Sequence, residues 1–129
     1  MKNILFVCIE NSCRSQMAEA FANMHGQEIV KAASAGSEAS GVVSDKAVRA
    51  MHEVGYDLST HTSKSLDALP DVEYDMVITM GCGDACPWVK AKERRDWSIP
   101  DPRDMEAKEF NRVRDEIERQ VLDLIAELS

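Results

Sequence analysis

Ile4-Leu5-Phe6-Val7 is the first apolar run, and residues 3–7 read as a buried strand. From Ser15 to about Met24, the apolar residues Met17, Ala18, Phe21, Ala22 and Met24 recur at helical spacing. Ile29 to Ala33 reads as a second strand, ended by Ser34-Ala35-Gly36. Ser44 is placed to cap a helix that turns Ala47, Val48, Met51 and Val54 inward and stops at Gly55. Asp75 to Met80 reads as a third strand, and a short fourth is expected near Asp96–Ile99, before Pro100-Asp101-Pro102. The last helix has the plainest signal. Phe110, Val113, Ile117, Val121, Leu124, Ile125 and Leu128 form one apolar face, with charges on the other.

Strands alternating with helices predict a single α/β domain over residues 1–129. The expected architecture is three layers, α/β/α, with a four-stranded parallel sheet, right-handed crossovers and strand order 2-1-3-4. That order puts a switch point between strands 1 and 3, where ligands bind outside the carboxyl ends. Cys8 follows strand 1, and Cys82 follows strand 3 after Gly81, so both thiols are expected to open onto one crevice.

The chemistry begins at that first strand end, with Cys8-Ile9-Glu10-Asn11-Ser12-Cys13-Arg14-Ser15. A Cys, five residues and an Arg, between a strand and a helix, let one turn of backbone wrap a tetrahedral oxyanion. The N–H groups of Ile9 through Ser15 and the helix N-terminus would face that anion. Arg14 would grip two of its oxygens with a planar fork. The same field favours the thiolate of Cys8, the nucleophilic form, and Ser15 is placed to donate to its sulfur. A thiolate and an Arg on one oxyanion cradle point to attack at phosphorus or arsenic.

Charge and composition narrow the partners. A net charge of −8 argues against nucleic acid or an anionic membrane, and leaves attraction of an anion to the local cradle. No apolar stretch approaches the roughly 20 residues of a membrane span. The opening run after Lys2 is too brief for a signal peptide, so a cytoplasmic location is expected. The chain is also expected to be a monomer. Four Cys in that reducing compartment suggest catalysis or metal binding rather than structural disulfides.

Cys82 and Cys86 lie in Gly81-Cys82-Gly83-Asp84-Ala85-Cys86-Pro87. In a helical turn their Cα atoms would be about 6 Å apart, within the span of a disulfide. The glycines suit a looser loop, and hence a disulfide that forms and breaks. Two small buried residues in a turn would also fit. So would a four-thiolate zinc site of Cys8, Cys13, Cys82 and Cys86, although it would leave Arg14 without a role. No metal or other cofactor is expected.

The segment Asn11-Ser12-Cys13-Arg14-Ser15-Gln16-Met17-Ala18-Glu19, with Cys8 before it, resembles the thioredoxin-coupled arsenate reductases, which share their fold with low-molecular-weight protein tyrosine phosphatases. The likeness extends through Ser34-Ala35-Gly36, Ser59-Thr60-His61-Thr62-Ser63, Cys82 to Cys86, Asp101-Pro102 and the terminal helix, nearly the whole chain. It implies one phosphatase-like arsenate reductase domain, with Cys8 as nucleophile, Arg14 as oxyanion grip and Asp101 as general acid. It further implies that Cys82 and Cys86 are the redox pair and that thioredoxin or a similar small dithiol is the reductant. Gln16 and Arg103-Asp104 stand where phosphatase relatives carry Pro and aromatic residues, which favours the reductase. Glu10 stands where many relatives have Gly and is expected to point outward. Lys64 replaces an Asp that in some relatives helps hold a potassium ion near Asn11, Glu19 and Ser34, so its ammonium is a candidate substitute for the ion.

Two rivals share the cradle. A phosphate monoester hydrolase would need Cys8, Arg14 and Asp101 but not Cys82 and Cys86. A sensor that binds oxyanions without turnover would not need Asp101. Elsewhere, His25, His52 and His61 suit surface or helix-end roles, with a structural hydrogen bond near the site as the alternative for His61. Lys90, Lys92, Arg94 and Arg95 read as a solvated loop flanked by Trp88 and Trp97, and Cys13 reads as a packed thiol.

Overall fold

The computed structural model describes residues 1–70, 72–81 and 89–129; Cys82, Cys86 and Trp88 lie outside the described residues. The described elements run β1 (Lys2–Cys8), α1 (Arg14–His25), β2 (Val30–Gly36), α2 (Asp45–His52), β3 (Tyr74–Thr79), β4 (Ala91–Asp96) and α3 (Ala107–Leu128). One-turn 3-10 helices at Leu58–Thr60 and Leu66–Ala68 lie between α2 and β3. The strands pair in parallel, as the alternation predicts, and in the expected order β2-β1-β3-β4.

β1 is central, and Ile4 through Cys8 are buried on both faces, which explains its unbroken apolar run. Ile4, Phe6 and Cys8 face a core shared with all three α-helices. Leu5 and Val7 face a smaller cluster with Ala35, Tyr74 and Val77, against which Leu66 and Leu69 pack. The predicted face of α3 is buried at Phe110, Val113, Ile117, Val121, Leu124 and Ile125. Ser44 is the N-cap residue of α2, as read, but makes no side-chain capping bond there.

Two strands differ from expectation. β2 runs on through Ser34-Ala35-Gly36, because those residues pair with Phe6, Val7 and Cys8. The fourth strand is Ala91–Asp96, ahead of the expected Asp96–Ile99, in register from Tyr74↔Ala91 to Thr79↔Asp96. It is an edge strand, so backbone pairing with β3 holds it while its charged side chains stay in water. Trp97 and Ile99 are buried just after it, and Trp97 packs on Phe6 at 5.8 Å between ring centroids. Lys92, Arg94 and Arg95 therefore sit on a strand rather than in a loop. Lys92 meets Asp75 at 3.4 Å and Arg95 pairs with Glu93 and Glu127. Charges along an edge also discourage the addition of another strand.

This topology brings the carboxyl ends of β1 and β3 side by side. Val7 pairs with Thr79, and the Met80 N–H donates to the Val7 carbonyl at 2.9 Å. The loop after β1 opens at that junction.

Candidate active site

Residues 9–13 connect β1 to α1, and each carbonyl of the loop is turned outward by a partner. The Ile9 carbonyl accepts from Glu38 N–H at 2.8 Å, that of Glu10 from Ser40 N–H at 3.0 Å, and that of Ser12 from Ser44 N–H at 3.0 Å. The Asn11 carbonyl accepts from Gln16 Nε2 at 3.0 Å, and that of Cys13 from Met17 N–H at 3.0 Å inside the helix. A peptide whose carbonyl points out presents its N–H inward. Among the described residues, none of the N–H groups from Glu10 to Ser15 has another acceptor. Cys13, the N-cap of α1, makes no side-chain capping bond, so the positive end of the helix is open to an anion. The cavity is about 200 Å³ and is lined by Cys8, Ile9, Glu10, Ser12, Cys13, Arg14, Glu38, Asp101 and Arg103.

Asn11 and Ser15, expected to bind oxyanion, are fully buried and their side chains serve the Cys8 sulfur. Ser15 Oγ lies 2.8 Å from Cys8 Sγ and accepts from Asn11 Nδ2 at 2.8 Å, which leaves its proton for the sulfur. Asn11 Oδ1 accepts from Gln16 Nε2 and from Lys64 N–H, both at 2.9 Å, fixing which way the amide faces. These bonds hold Asn11 at φ 52°, a left-handed conformation that Asn tolerates better than most residues.

The chain of donors continues outward. His61 Nδ1 lies 3.0 Å from Gln16 Oε1, and His61 Nε2 lies 2.6 Å from the Tyr56 hydroxyl. Burial holds the imidazole below its ordinary pKa, against the raising effect of Glu19 and with a further lowering by Lys64. The neutral ring then donates from Nδ1 and accepts at Nε2, so the bonds from Tyr56 to Cys8 run in one direction. His61 thus takes the alternative role, a structural hydrogen bond near the site, rather than a surface or helix-end one. Gln16 and Tyr56 were not singled out for this relay, and only the alignment of their polar atoms across the fold reveals it.

Arg14 is buried at the cradle rim. Its Nη1 donates to the Met80 carbonyl at 2.6 Å and the Ile99 carbonyl at 3.0 Å. These partners lie beyond β3 and β4, so three parts of the chain aim the guanidinium. Nε and Nη2 make no hydrogen bond among the described residues, so a planar pair of donors remains available. Gly81 has φ +83°, and a Cβ there would lie 2.8 Å from both Arg14 Nη1 and the Ile99 carbonyl oxygen. A glycine is required on both counts.

Asp101 lines the same cavity and accepts from Arg103 N–H at 3.1 Å. Glu10 points to the rim as expected and meets Arg103 there. Burial pushes the Cys13 thiol up, outweighing the opposing hydrogen bonds from Ser44 and Ser12, consistent with a packed thiol. Lys64 donates from Nζ to the Thr62 carbonyl at 3.2 Å, while Glu19 is held by Ser34 Oγ at 2.7 Å and lies 3.4 Å from His61. His25 closes α1 and meets Glu118 at 2.9 Å. Among the described residues, no group of three His, Cys, Asp or Glu is arranged to hold a metal ion. None of the described helices is long and apolar enough to cross a membrane.

Gly36 fixes the other side of the cradle. A Cβ there would lie 2.5 Å from the Ile9 carbonyl oxygen and 3.0 Å from Asn11 N. Both contacts are backbone, so Gly36→Ala must displace the loop itself. The expected result is phosphate binding weakened about tenfold or more, since several cradle donors shift together. Calorimetric titration with phosphate, beside a thermal melt, checks it.

The sequence model of the family described as low molecular weight phosphotyrosine protein phosphatase matches residues 3–85 and 83–129. A relative from Synechocystis sp., named glutaredoxin arsenate reductase, is 40% identical over 132 residues, covering 100% of both chains. A solved arsenate reductase in the phosphate binding state matches at 40% identity and a TM-score of 0.90, covering 100% of both chains. A Corynebacterium glutamicum thioredoxin-dependent arsenate reductase matches at 28% identity and a TM-score of 0.79, covering 99% of this chain and 62% of that one.

Proposed function

The chain belongs to the low molecular weight phosphotyrosine protein phosphatase family, and from that premise we propose that it reduces arsenate to arsenite. The observation that carries its oxyanion chemistry is the cradle, with its N–H groups turned inward, Arg14 at its rim and Cys8 hydrogen-bonded to Ser15 at its floor. Relatives named arsenate reductases, one of them 40% identical over the whole chain, support reduction over simple hydrolysis. So do Cys82 and Cys86, which a hydrolase has no use for.

In the mechanism, Cys8 thiolate attacks arsenic(V) while the loop N–H groups from Ile9 to Ser15 and the Arg14 fork hold the other oxygens. A sulfur–arsenic bond forms, and Asp101 donates a proton to the departing oxygen, which leaves as water. Cys82 then attacks the Cys8 sulfur. The new disulfide takes the sulfur, the electron pair of the sulfur–arsenic bond stays on arsenic, and arsenite leaves. Cys86 next attacks Cys82, freeing Cys8 thiolate and leaving a Cys82–Cys86 disulfide. A small dithiol protein of the thioredoxin kind reduces that bond, in a cytoplasmic monomer that needs no cofactor. The relatives named for glutaredoxin and for thioredoxin make the choice between those reductants a direct assay.

The test separates reduction from hydrolysis. Cys82→Ser is expected to lose multi-turnover arsenate reduction at least about 10³-fold and to keep p-nitrophenyl phosphate hydrolysis, because phosphoryl transfer ends with water whereas reduction needs a second thiol. Mass mapping of disulfide-linked peptides after one arsenate addition should show Cys82–Cys86 in the native chain. Parallel loss of both activities would make Cys82 structural. Loss of neither would assign the second thiol elsewhere.

A further inference from the structure

Glu10 is an acid in a loop whose N–H groups face an anion. Its carboxylate resolves that conflict at the rim, where Arg103 Nη1 lies 3.0 Å from both Oε1 and Oε2. The pair joins the two walls of the cavity, the cradle loop and the segment that carries Asp101. Arg103 is anchored through its backbone, with its N–H donating to Asp101 Oδ1 at 3.1 Å and its carbonyl accepting from Lys46 Nζ at 2.9 Å. The same ammonium donates to the Met105 carbonyl at 2.9 Å, which ties this segment to α2. Both partners of the ion pair are solvent-accessible, so the pair adds little to stability. Its position is what matters.

A phosphate monoester that takes a proton from Asp101 on its leaving oxygen must carry its organic group out past Asp101. Arg103, two residues on, reaches from there across to Glu10 and spans that exit. The cavity of about 200 Å³ is also smaller than the roughly 300–1,000 Å³ of pockets that take drug-sized organic ligands. An inorganic oxyanion has no organic group to pass. We propose that the Glu10–Arg103 pair is a specificity strap that favours inorganic tetrahedral oxyanions and slows, without abolishing, the reaction of aryl phosphate monoesters. The proposal rests on the oxyanion-cradle reading of the same site. The pairing also cancels the Glu10 charge at the mouth, where it would otherwise repel the incoming dianion.

The reduced full-length protein is titrated with inorganic phosphate by calorimetry, and p-nitrophenyl phosphate hydrolysis is measured beside it. Arg103→Ala is expected to weaken phosphate binding about two- to fivefold and Glu10→Gln to strengthen it by a similar factor, the size of one exposed charge. In Glu10→Ala/Arg103→Ala, the ratio of aryl phosphate kcat/KM to phosphate association constant should rise about fivefold or more, because the wall is gone. The exchanged pair, Glu10→Arg/Arg103→Glu, should bring that ratio back toward the native value. An unchanged ratio in the double alanine variant overturns the strap, as does an exchanged pair that leaves the ratio raised. A native chain that binds no phosphate sinks the cradle reading and the strap together, a result distinct from an unchanged ratio.

Discussion

Cys8→Ser is expected to abolish arsenate reduction and aryl phosphate hydrolysis together, by at least about 10⁴-fold, the scale seen when a nucleophile is removed from a preorganised site. A serine hydroxyl stays protonated where a thiol ionises, and no described side chain beside Cys8 is placed as a base strong enough to activate it. Ser15, the immediate neighbour of the sulfur at 2.8 Å, accepts from Asn11 and is itself a hydroxyl, too weak a base to take the serine proton. The cradle itself is backbone and should survive the change. Phosphate is therefore expected to raise the melting temperatures of Cys8→Ser and of the native chain alike, by binding the folded state alone. Stopped-assay kinetics with both substrates, beside melts with and without phosphate, check the pair of statements. Turnover by a serine variant that still binds phosphate would remove Cys8 from the mechanism.

Arg14→Lys should cost about 10²–10³-fold in kcat/KM for p-nitrophenyl phosphate, the scale of losing a preorganised donor to a developing charge. The substitution keeps the charge and removes the geometry. Arg14 spends Nη1 on the Met80 and Ile99 carbonyls and keeps a planar pair of donors for the anion. A lysine has one short-reaching ammonium for both tasks. If it bonds the carbonyls, the oxyanion loses its grip; if it turns to the oxyanion, two buried carbonyls lose their donor, which destabilises the fold. Both costs fall on one variant, so a lowered melting temperature should accompany the lost rate. Activity within tenfold of native would show that Arg14 acts as a point charge only.

The strand order, the two flanking apolar faces and the position of the Cys8-to-Arg14 loop were all legible in the sequence. The apolar faces and the loop depend on residues close together along the chain, while the strand order follows from the few ways a parallel α/β sheet can be connected. Apolar spacing in Met17 to Phe21 and in Phe110 to Ile125 reports the buried side of a helix, and a contiguous loop needs no distant partner to be recognised. β4 was misplaced because an edge strand has no apolar face of its own to announce it. Lys92 to Asp96 remain charged, and the buried Trp97 and Ile99 that follow drew the expected strand toward themselves.

The sequence alone thus marked out the atoms proposed to attack and grip an oxyanion, since the thiol, the loop and the helix start lie within eight consecutive residues, Cys8 to Ser15. Only the tertiary structure decided how those atoms are aimed. Arg14 is held by carbonyls 66 and 85 residues away, Asn11 by the N–H of Lys64, and Glu10 by Arg103. Periodicity and spacing report which face of an element is buried. They cannot report which polar atom of a distant segment will lie within 3 Å, because a hydrogen bond is directional and short-ranged, and its partners meet only after the apolar faces have packed.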